Sequence, residues 1–205
     1  MERLYIESRL SDCLTSEFLE DVQSQNHYGE ADAEILTHVA ADMIICLKRQ
    51  ECTYLVFREP DEPVVVCMTL GGSVDVLQER YQREGRMLES YMVEHIGSAL
   101  LARGYKELSG WICERTGRHV AAYHFFGGEE GYPLEEMADA LALIGACRVS
   151  CTETFCLKPK QSAVFLAELS ERRAETNIGI CERCNRHQEC SFSNNLRNYE
   201  IFVGN

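Results

Sequence analysis

The densest run of chemically capable residues lies at 124–133, His124-Phe-Phe-Gly-Gly-Glu-Glu-Gly-Tyr-Pro133. Gly127 and Gly128 permit positive φ and a close approach of backbone to a ligand. His124 stands at the entry of this turn, and Glu129 and Glu130 crowd its centre. Phosphate loops use such turns, but neither G-x-x-x-x-G-K-[ST] nor G-x-G-x-x-G occurs here. Two adjacent carboxylates would also repel a phosphate. The same residues equally suit a tight turn that feeds a helix.

Two further groups stand out. Cys181, Cys184 and Cys190 form a C-x2-C-x5-C set with His187 between the second and third thiols. Thiolates at such spacing suit zinc or an iron–sulfur cluster, although the pattern matches neither a standard zinc finger nor a ferredoxin run. Free thiols in a tail and a disulfide remain open for the same residues. Thr152-Glu153-Thr154 sets one carboxylate between two hydroxyls, where it can hydrogen-bond a ligand. There is no Ser/His/Asp series, no H-E-x-x-H and no nucleophile elbow, so no residue is assigned a catalytic role.

The elements that must position these groups follow from periodicity. Residues 30–48 carry Ala33, Leu36, Val39, Ala40, Met43, Ile44 and Leu47 on one stripe and read as a helix, with a shorter helix before it near Leu14 to Val22. Two strands follow at 53–57 and 64–69, around a Pro-rich turn. Gly71-Gly72-Ser73 then opens a helix with Ser73 as its cap. Residues 86–113 are strongly helical, and Gly104 is a point where this segment can divide. Gly97-Ser98-Ala99 within it costs helix propensity, of order 1 kcal/mol for the glycine, and implies close approach of another element. His95 lies on the apolar face of that helix, where a hydrogen-bonded core histidine is expected. A strand at 120–126 enters the glycine turn. Pro133 suits the first position of the next helix and Gly145 its stop. Residues 149–157 and 162–169 read as a hairpin-like pair, and 175–180 as a further strand. The organisation expected is one domain over 1–180 and a cysteine-containing tail over 181–205.

Composition narrows the function. The chain has 205 residues, 45% of them hydrophobic, enough for a sizeable core. A net charge of −13 argues against nucleic acid and anionic membrane surfaces as partners. No apolar run is long enough for a membrane span, and the N-terminus lacks a signal-peptide core, so a cytoplasmic location is expected. Eleven cysteines are many. Cys46, Cys67, Cys113 and Cys147 sit in apolar runs and read as small buried hydrophobes in a reducing cell.

Two blocks resemble the activation (reactivation) domain of vitamin B12-dependent methionine synthase, in the form of its stand-alone relatives in anaerobes. The first runs from Thr69-Leu-Gly-Gly-Ser through Glu84-Gly-Arg-Met-Leu to Ile96-Gly-Ser-Ala, against the family's "TLG" start, "G-x-x-L" approach and "GSA" helix. The second is Gly131-Tyr-Pro-Leu-Glu-Glu-Met with Cys151-Thr-Glu-Thr-Phe-Cys-Leu-Lys-Pro-Lys-Gln-Ser-Ala-Val. It resembles the family's "P-L-E" helix start and its "LTES" strand pair. The likeness spans about residues 33–190. It implies an α/β (α+β) fold with a bent antiparallel sheet flanked by helices.

The implied role belongs to methionine biosynthesis: support of the reductive methylation of cob(II)alamin, with S-adenosylmethionine as methyl donor. The cobalamin is presented by a corrinoid-binding methyltransferase partner, and a reductant such as flavodoxin or ferredoxin supplies the electron. The implied ligand residues are His124, Gly127, Gly128, Glu129, Thr152 and Glu153. The family's Arg-x-x-x-Gly-Tyr motif, anchored on Pro133, places His124 at the arginine, Gly128 at the glycine and Glu129 at the tyrosine. A shifted register equates Gly131-Tyr132-Pro133 with the family's Gly-Tyr-Pro, and neither register supplies the arginine. A tyrosine contact of the family falls near Glu175 or Thr176. A second implied role is a corrinoid-protein binding or redox module that uses a metal or iron–sulfur site at Cys181, Cys184 and Cys190. A third is a scaffold that only binds a partner.

Overall fold

Alternation along five strands gives one sheet two apolar faces, and each face carries its own layer. A computed structural model describes residues 1–7, 9–48, 50–59, 62–128, 131–145 and 147–172. In chain order the elements are β1 (Glu2–Glu7), α1 (Ser16–Gln25), α2 (Ala33–Leu47), β2 (Cys52–Phe57), β3 (Val64–Thr69), α3 (Gly72–Arg83), α4 (Met87–Thr116), β4 (His119–Phe125), α5 (Glu136–Ile144), β5 (Ser150–Cys151), β6 (Leu157–Lys158) and β7 (Ser162–Ser170). The main sheet has the order β1-β2-β3-β7-β4 and is antiparallel throughout. β5 and β6 pair only with each other.

Leu55, Val66, Met68, Phe165 and Tyr123 point to one face, where α4, α2, α3 and α1 build the larger core. Tyr54, Val56, Val65, Cys67 and Val164 point to the other, where α5 lays Met137, Ala140, Leu141 and Ile144 across β2, β3 and β7. The outcome is a mixed α/β structure of one antiparallel sheet flanked by helices. Among the described residues, no helix is long and apolar enough to cross a membrane.

The long helix α4 runs unbroken for 30 residues, so the expected division at Gly104 does not occur. Close approach explains both of its buried glycines. A Cβ on Gly97 would lie 2.7 Å from Gln161 Cδ, and one on Gly104 would lie 2.6 Å from Met68 Sδ. Absence of a side chain at these two positions lets α4 sit directly on β3 and the start of β7. His95 on the same helix meets the Tyr28 hydroxyl through Nδ1 at 2.6 Å, the partnered histidine expected. Burial pushes its pKa down.

Other expectations change. β1 was not foreseen, because its exposed residues alternate with the inward Leu4 and Ile6 at a sheet edge. Ser73 does not cap α3. The N-cap is Gly71 at φ +86, and the Ser73 amide donates to Gln50 Oε1. Pro133 precedes the first helical residue of α5, Glu136, by a turn in which the Glu136 amide donates to the Pro133 carbonyl. The pair read at 149–157 and 162–169 is not a hairpin. β7 instead inserts between β3 and β4, because its two apolar faces need a layer on each side. Cys67 is buried, whereas Cys46, Cys113 and Cys147 are half-buried. All three, like Cys67, are free thiols. The expected strand at 175–180 and the tail from 181 lie outside the described residues.

Asp42 ties α2 to α3 by accepting from the Tyr81 hydroxyl and from Arg80. Burial alone would raise its pKa, but the hydrogen bonds from Tyr81 and Arg80 outweigh that and hold the carboxyl below its usual value. A carboxyl lowered by folding stabilises above its unfolded pKa and loses that contribution as pH falls through the folded value. Thermal unfolding from pH 7 to pH 3 is therefore expected to show a smaller loss of Tm in Asp42→Asn than in the native chain. A second expectation concerns α4. Gly104→Val overpacks Met68 and is expected to cost about 1–3 kcal/mol in urea unfolding. Gly110→Ala is expected to gain up to about 1 kcal/mol, since a Cβ there meets nothing within 4 Å.

Candidate functional site

On β4 the alternation that buries Tyr123 in the larger core turns His124 to the α5 face. Tyr123, Tyr105 and Phe165 lock this register by edge contacts, with Tyr123 and Phe165 ring centroids 5.0 Å apart. The Tyr123 hydroxyl also donates to the Tyr105 carbonyl at 2.9 Å. His124 is only 5% exposed. Its Nε2 lies 3.0 Å from Glu168 Oε2 on the adjacent strand β7. The carboxylate can only accept, so the Nε2 proton donates.

The glycine turn then folds back over the imidazole. The Gly128 amide donates to the Phe125 carbonyl at 3.0 Å, and the Gly127 amide donates to the Tyr132 carbonyl at 2.7 Å. Gly127 has φ +77, and a Cβ on Gly128 would meet the Phe125 carbonyl oxygen at 3.2 Å. Glycine is thus favoured at both positions, by conformation at Gly127 and by tight space at Gly128. Their effect is to lay the Tyr132 ring on His124, with centroids 4.4 Å apart and planes inclined by 23°. Glu129 lies outside the described residues.

Thr152 and Glu153 occupy the tip of the β5–β6 hairpin. Thr152 Oγ1 accepts from the Cys156 amide at 3.0 Å and bonds Thr154 Oγ1 at 3.1 Å. The Thr152 amide and carbonyl bond Cys156 and Phe155 within the same turn. These hydrogen bonds hold the hairpin. Glu153 is exposed and, among the described residues, has no hydrogen-bond partner. Cys151, Phe155 and Leu157 press the hairpin onto the core under α5. It thus shares the sheet face of His124, without a hydrogen bond between the two groups.

The structure brings His124, Gly127 and Gly128 together as expected and adds two residues, Tyr132 and Glu168. The shifted Gly-Tyr-Pro register pointed to Tyr132. In the sequence, Glu168 is marked by interrupting the apolar alternation Val164, Leu166 along β7. Cys181, Cys184 and Cys190 lie outside the described residues. Among the described residues, no group of three or more His, Cys, Asp or Glu side chains is placed to hold a metal ion.

No family model and no curated protein matches this sequence. Among solved structures, it matches a crystal structure of the MetH reactivation domain bound to AdoHcy, with a TM-score of 0.53 at 11% identity. The match covers 100% of this chain and 91% of that chain. The fold is that of a methionine synthase activation domain. In this activation-domain fold the sheet order brings β7 beside β4, and so brings Glu168 beside His124.

Among the described residues, a phenol ring and a carboxylate share one rim, a flat face beside a negative charge. Such a surface suits a planar ring and a cationic group. No arginine occurs in residues 124–133, so the turn itself brings no guanidinium fork for a carboxylate.

Loss of the Thr152 hydroxyl should loosen the hairpin. Thr152→Val is expected to lower stability by about 1 kcal/mol in urea unfolding, while Glu153→Gln is expected to leave it unchanged.

Proposed function

We propose that this chain is a stand-alone reactivation module for a corrinoid-dependent methyltransferase of the methionine synthase type. It binds S-adenosylmethionine at the turn between β4 and α5 and holds it against the cobalamin carried by a partner protein. The corrinoid in its cob(II) state takes one electron from a flavodoxin- or ferredoxin-type reductant and the methyl group from the sulfonium. S-adenosylhomocysteine leaves. The cofactor carries the chemistry, and the chain contributes binding and orientation.

The observation that carries this reading is the whole-chain likeness to a reactivation domain whose structure holds AdoHcy. The site's chemistry supports it. Tyr132, braced by His124, presents a ring face suited to adenine. Glu168, whose side chain is 55% exposed, offers a carboxylate suited to an ammonium or sulfonium cation. Without an arginine in the turn, the carboxylate end of the ligand lacks a fixed cation there, so binding relies on the ring and the cationic groups.

Calorimetric titration of S-adenosylmethionine, alone and with a cobalamin-loaded methionine synthase fragment, tests the proposal. Saturable binding is expected, weakened about tenfold by Glu168→Gln, a charge-assisted contact being worth about 1.5–3 kcal/mol. Tyr132→Leu is expected to weaken it similarly. A flat titration under both conditions overturns the proposal, and unchanged binding in both variants moves the pocket elsewhere.

A further inference from the structure

The opposite end of α5 forms a second cleft that the reactivation role does not use. Helix α5 covers β2, β3 and β7 and stops at Gly145. It leaves the edge strand β1 uncovered on that face. The resulting shelf is an open cleft of about 750 Å³, within the range of about 300–1,000 Å³ typical of small-molecule sites. Arg3, Tyr5, Tyr54, Gly145, Cys147 and Arg148 line it. Nine helical residues at 1.5 Å each set this cleft about 13 Å from the turn that carries Tyr132.

Its chemistry differs from that of the rest of the molecule. A chain of net charge −13 places two arginines on one cleft. Arg3 is held in place, because its Nε donates to the Leu143 carbonyl at 2.9 Å. That bond satisfies a carbonyl at the C-terminal end of α5, where the helix dipole would otherwise repel an anion. It also leaves the terminal nitrogens of Arg3 without a partner among the described residues. Arg148 is drawn in from the other side, its amide donating to the Tyr54 hydroxyl at 3.1 Å. Its charge acts on both the Tyr5 and the Tyr54 phenols.

Beside Arg3 stands an aromatic wall. Tyr5 and Tyr54 are register partners on β1 and β2, with ring centroids 5.3 Å apart and planes inclined by 53°. Tyr54 is buried, but Tyr5 is 47% exposed. A large ring left half in water at the mouth of a cleft gains by being covered. Gly145, with no side chain and nothing within 4 Å of where its Cβ would be, keeps the entrance open. An oriented guanidinium with open terminal nitrogens is suited to a phosphate or carboxylate.

We propose that this cleft binds a small organic anion built as a planar ring bearing a phosphate or carboxylate, with the ring on Tyr5 and the anionic group on Arg3. The site is independent of the adenosylmethionine reading and shares no residue with it.

Flavin mononucleotide and adenosine monophosphate serve as probes on the full-length chain. Flavin fluorescence follows the first and calorimetry the second. Saturable binding of at least one probe in the millimolar range or tighter is expected. Arg3→Gln is expected to weaken it about tenfold, and Tyr5→Ser is expected to weaken it severalfold. Where flavin mononucleotide binds, riboflavin, which lacks the phosphate, is expected to bind more weakly. Arg103→Gln, an exposed arginine of α4 on the opposite face of the sheet, is expected to change nothing. Arg3 and Tyr5 are exposed, so both variants should keep the native far-ultraviolet circular dichroism and Tm. Failure of both probes to bind overturns the proposal, as does binding that Arg3→Gln and Tyr5→Ser leave unchanged.

Discussion

The contact on which the rest of this structure depends is the seating of α4 on the sheet at Gly97 and Gly104. Two missing side chains let a 30-residue helix approach Gln161 and Met68 to the limit of packing. Dispersion falls off over fractions of an ångström, so a lifted helix would forfeit much of the larger core. The same seating brings Tyr105 against Tyr123 and Phe165. Those rings fix which side chains of β4 and β7 point toward the helices. Because strand alternation has a period of two, they also fix which point away. His124 and Glu168 face the other layer because Tyr123 and Phe165 are claimed by α4.

This division gives the two faces different work. The α4 face carries the larger apolar cluster, with Thr53, Ser90, Ser109 and Gln161 buried beside it, and supplies stability. Across the sheet, the smaller layer under α5 is interrupted by His124, Tyr54, Cys52 and Cys67. A single short helix cannot cover a five-stranded sheet, so polar groups emerge at both of its ends. At the N-terminal end the glycine turn lays Tyr132 over His124. At the C-terminal end the uncovered β1 leaves Tyr5 and Arg3 on a shelf. Both places arise from one geometric fact, the shortness of α5 relative to the sheet it packs on.

Much of the scaffold was legible in the sequence. α2, α4 and α5 carry continuous apolar stripes, and β2 and β3 are β-branched runs bounded by turns. What escaped was long-range. β1 shows only Leu4 and Ile6 to the core and needs its partner strand to be recognised. β7 reads locally as half of a hairpin, yet its nine residues find better burial between β3 and β4 than beside the two-residue strand β5. The site divides along the same line. His124, Gly127 and Gly128 are neighbours in sequence and were readable. The pairing of His124 with Glu168 depends on cross-strand register, and the stacking of Tyr132 on turn conformation. Thr152 was legible as a polar residue near the site, but the use of its hydroxyl to hold its own turn depends on local geometry that composition does not carry.

The absent arginine acquires a physical meaning from this arrangement. In either register of the resemblance, its position falls at a buried imidazole or within the turn, not at an open rim. A guanidinium at position 124 would be enclosed between the Tyr132 ring and the sheet, with Glu168 beside it as a counter-charge. Burying a full charge there is costly unless the pair is hydrogen-bonded throughout. Histidine keeps the planar shape and the donor toward Glu168 without requiring a permanent charge. An imidazole held by Glu168 and covered by Tyr132 cannot extend a fork as a guanidinium could. The turn therefore presents an aromatic and acidic surface rather than a basic one, while two of the chain's arginines gather at the far end of α5. Polarity along this one helix is reversed relative to its dipole: the acidic rim lies toward its N-terminus and the basic cleft toward its C-terminus. Each charge is thereby placed where the helix field favours it.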